Sequence, residues 1–102
     1  MERSPDDLVV DFLRGQNLEQ IGRLDEAIAL YESVIAEKFD ASGPYDRLIW
    51  IYQSRRMHGE VIRVAEASLA SVRTYSEKRD WYQRQIEEAT KALDSAPRPR
   101  PR

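Results

Sequence analysis

The side chains able to carry chemistry are few in this chain of 102 residues. It has no cysteine, which excludes disulfides, thiolate metal sites and thiol nucleophiles. His58 is the single histidine, and with no thiol or second imidazole it cannot assemble a zinc site of the usual kind. Adjacent acids occur at Asp25 and Glu26 and again at Glu87 and Glu88. Neighbours on a helix diverge by about 100°, so neither pair can act as general acid and base on one substrate. The first pair reads as helix-start residues and the second as a solvated face. No phosphate-cradling glycine loop, nucleophile elbow or paired-histidine zinc helix stands in the sequence. The expectation is a chain that is not an enzyme, without catalytic residues, metal or cofactor, and with His58 solvated in a turn before Gly59.

Composition narrows the remaining classes. Hydrophobic residues make up 41%, charged residues 33%, and there are only four glycines, which suits a helical protein with one modest core. No unbroken apolar run exceeds that of 48–52, far short of the ~20 residues that span a bilayer. The acidic N-terminus lacks the basic-then-apolar order of a signal peptide, so a cytoplasmic location with no membrane contact is expected. The net charge of −2 hides an asymmetry, because Arg98, Arg100 and Arg102 sit in a terminal stretch with no acid. Without them the body stands near ~−5, the wrong sign for a surface that seeks nucleic acid.

The elements that must position any site are helices. Ser4-Pro5-Asp6-Asp7 combines a capping serine, a first-turn proline and two acids at the positive end of the dipole, and predicts a helix over about 5–20. Leu8, Val9, Phe12, Leu13 and Leu18 give it one broad apolar face. Gly22 breaks the chain, and Leu24, Ala27, Ile28, Tyr31, Val34 and Ile35 mark a second helix reaching 37 or 38. Pro44 opens a third over about 44–55. After Gly59, the spacing from Val61 to Val72 marks a fourth, ending near 73. Thr74 with Glu77 has capping-box spacing, and a fifth helix follows over about 75–94. Beyond it, three prolines in 96–102 forbid a helix, and that tail is expected to be extended and disordered.

Sliding the sequence on itself by 34 residues lays helix on helix, with Leu18 on Tyr52, Ala27 on Val61 and Ile28 on Ile62. In the first unit, 8–41, Gly15, Ala27 and Tyr31 take a small, an alanine and an aromatic position. In the second, 42–75, Tyr45, Leu48 and Tyr52 take an aromatic, a leucine and a tyrosine position. This pattern resembles the tetratricopeptide repeat. The departures are Asp11, Ile49, Val61, Ala65, Phe39 and Arg73, which stand where the family has an aromatic, a small residue, alanine, an aromatic and, twice, proline. The resemblance implies an all-α array of helical hairpins over 1–95, an α-solenoid of two repeats closed by a capping helix at 76–95. Gly15 and Ala27 would then sit where paired helices cross.

The same resemblance implies a protein-interaction module that binds a peptide or helix in a concave groove. The groove positions fall on Val9, Phe12, Gln16 and Glu19, then on Gly43, Asp46, Trp50 and Gln53, and continue over Glu77, Asp80 and Arg84. Trp50 points roughly 150° from the stripe of Tyr45, Leu48, Ile49 and Tyr52. It either packs beneath a neighbouring helix or stands exposed as the anchor of a ligand; Phe12 carries the same ambiguity. The lysine and asparagine clamp by which some members hold chaperone C-termini is missing, its places being held by Phe12, Gln16, Arg47, Glu77 and Trp81. Two repeats leave the first helix without a cap, so a homodimer or a partner protein is expected to cover Val9, Phe12 and Leu13. Two other functions compete: a nucleic-acid accessory protein using the arginine tail, and a small regulatory subunit of an enzyme. The tail offers at most three phosphate contacts, which disfavours the first.

Overall fold

The computed structural model describes residues 3–73 and 76–95, and over these the chain forms five helices and no strand. They are α1 (Pro5–Gln20), α2 (Leu24–Ile35), α3 (Gly43–Ser54), α4 (His58–Ser71) and α5 (Ser76–Ser95). The all-α class is the one read from composition and periodicity, with boundaries within about three residues of those expected. The Thr74 cap, the start at Tyr75 and the tail 96–102 lie outside the described residues. Among the described residues, no helix is long and apolar enough to cross a membrane.

Local chemistry explains where α1 begins. The Ser4 hydroxyl accepts from the Asp7 amide and the Asp7 carboxylate from the Ser4 amide, each at 3.2 Å, closing a capping box around Pro5. The chain ahead of the helix is tied down as well. Arg3 pairs with Asp11 of α1 at 2.7 Å and with Glu37, and donates to the Ser33 carbonyl near the end of α2.

The helix ends repeat. After α1, the Gly22 amide donates to the Glu19 carbonyl at 3.0 Å and the Arg23 amide to the Leu18 carbonyl at 2.9 Å. Gly22 stands at φ +82°, the left-handed conformation this motif needs. After α3 the same two bonds recur, from Arg56 to Gln53 at 3.0 Å and from Met57 to Tyr52 at 2.9 Å. Here Arg56 takes the left-handed place, at φ 56°. Every participant is displaced by the spacing of the sequence register. One expectation is corrected: Gly59 does not break the chain ahead of α4 but is its second residue. His58 is its first, half-buried in a hollow with Gln53, Val61, Glu88 and Ala89, rather than solvated in a turn.

Each helix packs most extensively on its neighbours in chain order. The centre of the core is α3, whose Pro44, Tyr45, Leu48, Ile49, Ile51 and Tyr52 are all buried. Outermost is α1, which buries only Leu8 and Gly15. Gly15 lies directly under the Tyr31 ring, and a Cβ added there would stand 2.5 Å from Tyr31 Cε1. Ala27 is fully buried, as expected at a helix crossing.

Candidate protein-interaction face

Five contacts bring the odd-numbered helices side by side. Phe12 of α1 packs against Gly43 at the start of α3, where an added Cβ would meet its ring at 2.4 Å. Arg47 of α3 grips Glu19 of α1 through two hydrogen bonds of 2.9 and 2.6 Å. On the other side of α3, Asp46 accepts from the Tyr82 phenol at 2.7 Å and pairs with Lys78 at 2.7 Å, while the Gln53 amide donates to Gln85. So α1, α3 and α5 present a common face, with α3 in the middle.

The candidate residues divide by what they do there. Glu19, Asp46 and Gln53 hold the helices of the face to one another. Phe12 is half-buried, its ring 5.9 Å from that of Tyr31, and belongs to the packing beneath the face. Gln16 is half-buried beside a hollow of about 250 Å³ that it lines with Glu19, Gln20 and Arg47. Val9, Trp50 and Arg84 are exposed, and so are Glu77 and Asp80. Trp50 resolves towards solvent: it is 56% exposed, on a helix whose two tyrosines are buried.

A recurring unit escaped the sequence reading. Three times a buried tyrosine donates to a carboxylate that also holds a cation: Tyr31 to Glu19 with Arg47, Tyr52 to Glu32 with Arg63, and Tyr82 to Asp46 with Lys78. The Arg47 guanidinium holds the Glu19 carboxyl below the usual carboxylate range, against the opposing effect of burial, and the Tyr31 phenol lowers it further. Burial first, and then the hydrogen-bonded carboxylate, pushes the Tyr31, Tyr52 and Tyr82 phenols upward. Partners this far apart in sequence leave no local pattern. Lys78 also stands 4.4 Å from the centre of the Trp81 ring, so one cation serves both Asp46 and an aromatic face.

These charges are paired with one another across the helices. Among the described residues no three histidines or acids gather as metal ligands, and no buried side-chain polar atom is left without a hydrogen bond. A hollow of about 490 Å³ beside Arg3, Leu8 and Lys38 has its Arg3 and Glu37 bonded to each other. The face can offer shape, an exposed indole and a rim of amides and charges. No family model, no curated protein and no solved structure matches the chain.

Proposed function

We propose that the chain is a protein-interaction module of tetratricopeptide type, which holds a peptide or helix of a partner protein across α1, α3 and α5. The observation that carries this reading is Trp50. A large apolar side chain that is more than half exposed, on a helix that otherwise buries half of its residues, is available to a ligand. The 34-residue recurrence of the helix-end hydrogen bonds supports the family, because a repeat architecture reuses its turns as well as its helices. The hollow between Gln16 and Arg47 lies on the same face and offers amide and guanidinium donors to the backbone of an extended segment.

The test is affinity capture with the intact protein beside a Trp50→Ala variant, scored by mass spectrometry. It is followed by titration of the purified partner into a Trp81→Phe protein whose emission reports Trp50 alone. The expected result is a partner retained by the intact chain, lost by the variant, and shifting Trp50 emission to the blue. A partner held equally well by both proteins, with unchanged emission, refutes the assignment of the face.

A further inference from the structure

The outer side of α1 carries a second surface. Val9, Val10 and Leu13 are 43%, 57% and 50% exposed, and Val10 points about 160° from Phe12, away from the core and from the Trp50 face. We propose that this surface docks a second copy of the same chain, antiparallel, across a two-fold axis between Val10 and Leu13. The inference does not rest on the function proposed for Trp50, since Val10 and Arg14 lie about 160° from Phe12 on α1 and Leu13 about 100° from it.

The spacing is that of a helix seam. Asp6, Val10, Leu13, Asn17 and Gln20 follow one another at intervals of four, three, four and three, the periodicity that keeps one stripe facing a partner helix. Antiparallel pairing about the proposed axis sets Val10 on the partner's Leu13 and Leu13 on the partner's Val10. One turn further out, Asp6 meets the partner's Asn17, a carboxylate opposite an amide donor. Along one flank Asp7 and Arg14 lie two turns apart on the same side of α1, and both are exposed. The antiparallel arrangement brings Asp7 against the partner's Arg14, and the two-fold axis repeats the pair. Among the described residues Arg14 makes no other ion pair. A parallel pairing sets Asp6 against the partner's Asp6 and Arg14 against the partner's Val9. Charge therefore selects both the occupant and its direction.

The opposite end of the molecule argues for closure at two chains. The outer side of α5 exposes Gln83, Glu87 and Lys91, a polar surface, and the exposed Leu93 of α5 lies on the stripe of Tyr82, Ile86 and Ala89 rather than on that side. A contact made only by α1 on α1 is isologous and cannot propagate. With two apolar layers the interface falls well below the ~800 Å² per partner of a standard complex, so the dimer is weak and dissociates on dilution.

Sedimentation of the intact chain between ~10 µM and ~1 mM tests this, a range that brackets a weak association. The expected result is a monomer that becomes a dimer across that range. Leu13→Asp abolishes dimerisation with the helical circular dichroism unchanged, because Leu13 lies outside the core. Arg14→Asp sets carboxylates against each other and weakens the dimer by about tenfold or more. The swap Asp7→Arg with Arg14→Asp restores it, and a mixture of the two single variants associates more tightly than either does alone. A chain that stays monomeric throughout overturns the proposal. So does a dimer that survives Leu13→Asp, that ignores Arg14→Asp, or that the swap fails to rescue.

Discussion

Replacing Gly15 by alanine adds one methyl group where α1 lies against Tyr31, and the structure sets what that methyl meets. Its Cβ would stand 2.5 Å from Tyr31 Cε1 and 2.9 Å from Cδ1, where carbon atoms ordinarily rest at about 3.5–4.0 Å. The ring must therefore give by about 1 Å. It has little freedom to do so. Tyr31 is fully buried, its hydroxyl donates to Glu19 at 2.7 Å, and Glu19 is held in turn by Arg47. Overpacking of this kind costs about 1–3 kcal/mol, and a strained phenol bond adds up to about 1 kcal/mol. Against this, alanine is favoured over glycine in a helix by about 1 kcal/mol. The net expectation is a loss of about 1–2 kcal/mol, a drop in Tm of about 5–15 °C for a chain of this size. Gly59→Ala is the control, since a Cβ there meets nothing within 4 Å; it should leave Tm unchanged or raise it. Thermal and urea unfolding of both variants, with Tyr31→Leu added to complete a double-mutant cycle, gives the coupling between Gly15 and Tyr31. A Gly15→Ala protein as stable as the parent, or effects that simply add, refutes the close approach of α1 to the ring.

Three further outcomes follow from the same packing. Ala27→Leu, at a fully buried position, should destabilise by about 1–3 kcal/mol, read as a lower urea midpoint with an unchanged slope; an unaltered midpoint contradicts the helix crossing. Arg56→Gly should stabilise by about 0.5–1 kcal/mol, because the left-handed backbone at φ 56° strains a side chain that glycine lacks, and a loss of stability there contradicts the turn. Stability should fall steeply above pH 10, the ordinary value for tyrosine. The unfolded chain releases the protons of Tyr31, Tyr52 and Tyr82 there while the folded chain retains them, so each contributes a loss of about 1.4 kcal/mol per pH unit until its raised pKa is reached. Tyrosinate absorbance from Tyr31, Tyr52 and Tyr82 rising only together with unfolding is the expected signature, read as the part lost in their phenylalanine variants; their ionisation in a folded protein near pH 10 contradicts it.

What the sequence reveals and what it hides separate by range. The start of α1 is legible because Ser4, Pro5 and Asp7 act on their own backbone, and the turn after it because Gly22 supplies the left-handed residue itself. The corresponding turn after α3 is misplaced onto Gly59 because the left-handed residue is Arg56, which carries no such signature. The repeat could have located it, since Arg56 lies one period beyond Gly22. The angle of Trp50 on α3 is legible from helix geometry alone, but whether a neighbouring helix covers it is not, and the structure leaves it exposed. Glu19, Asp46 and Gln53 read as free groove positions, yet they bond Arg47, Tyr82 and Gln85 at separations of 28, 36 and 32 residues. Those separations scatter about one repeat length. Because α3 is bonded to both α1 and α5, residues about 30 apart become neighbours, and pairing polar residues at that distance would have exposed the contacts.

The exposure of Trp50 is itself an energetic statement. Burying a large aromatic side chain is worth on the order of 2–3 kcal/mol, and α3 is the helix best placed to achieve it, with neighbours before and after it and half of its residues already buried. The surrounding face could have closed over the indole. Instead Arg47 reaches away to Glu19, Asp46 and Gln53 reach the other way to α5, and Lys78 lies over Trp81 rather than Trp50. Each of these polar side chains is committed to joining helices or to another ring, and the indole stays 56% exposed. On the proposed function, the stabilisation that Trp50 does not contribute to folding goes to the partner, and because Arg47, Asp46 and Gln53 are already fixed by internal bonds, little ordering of these side chains would oppose binding.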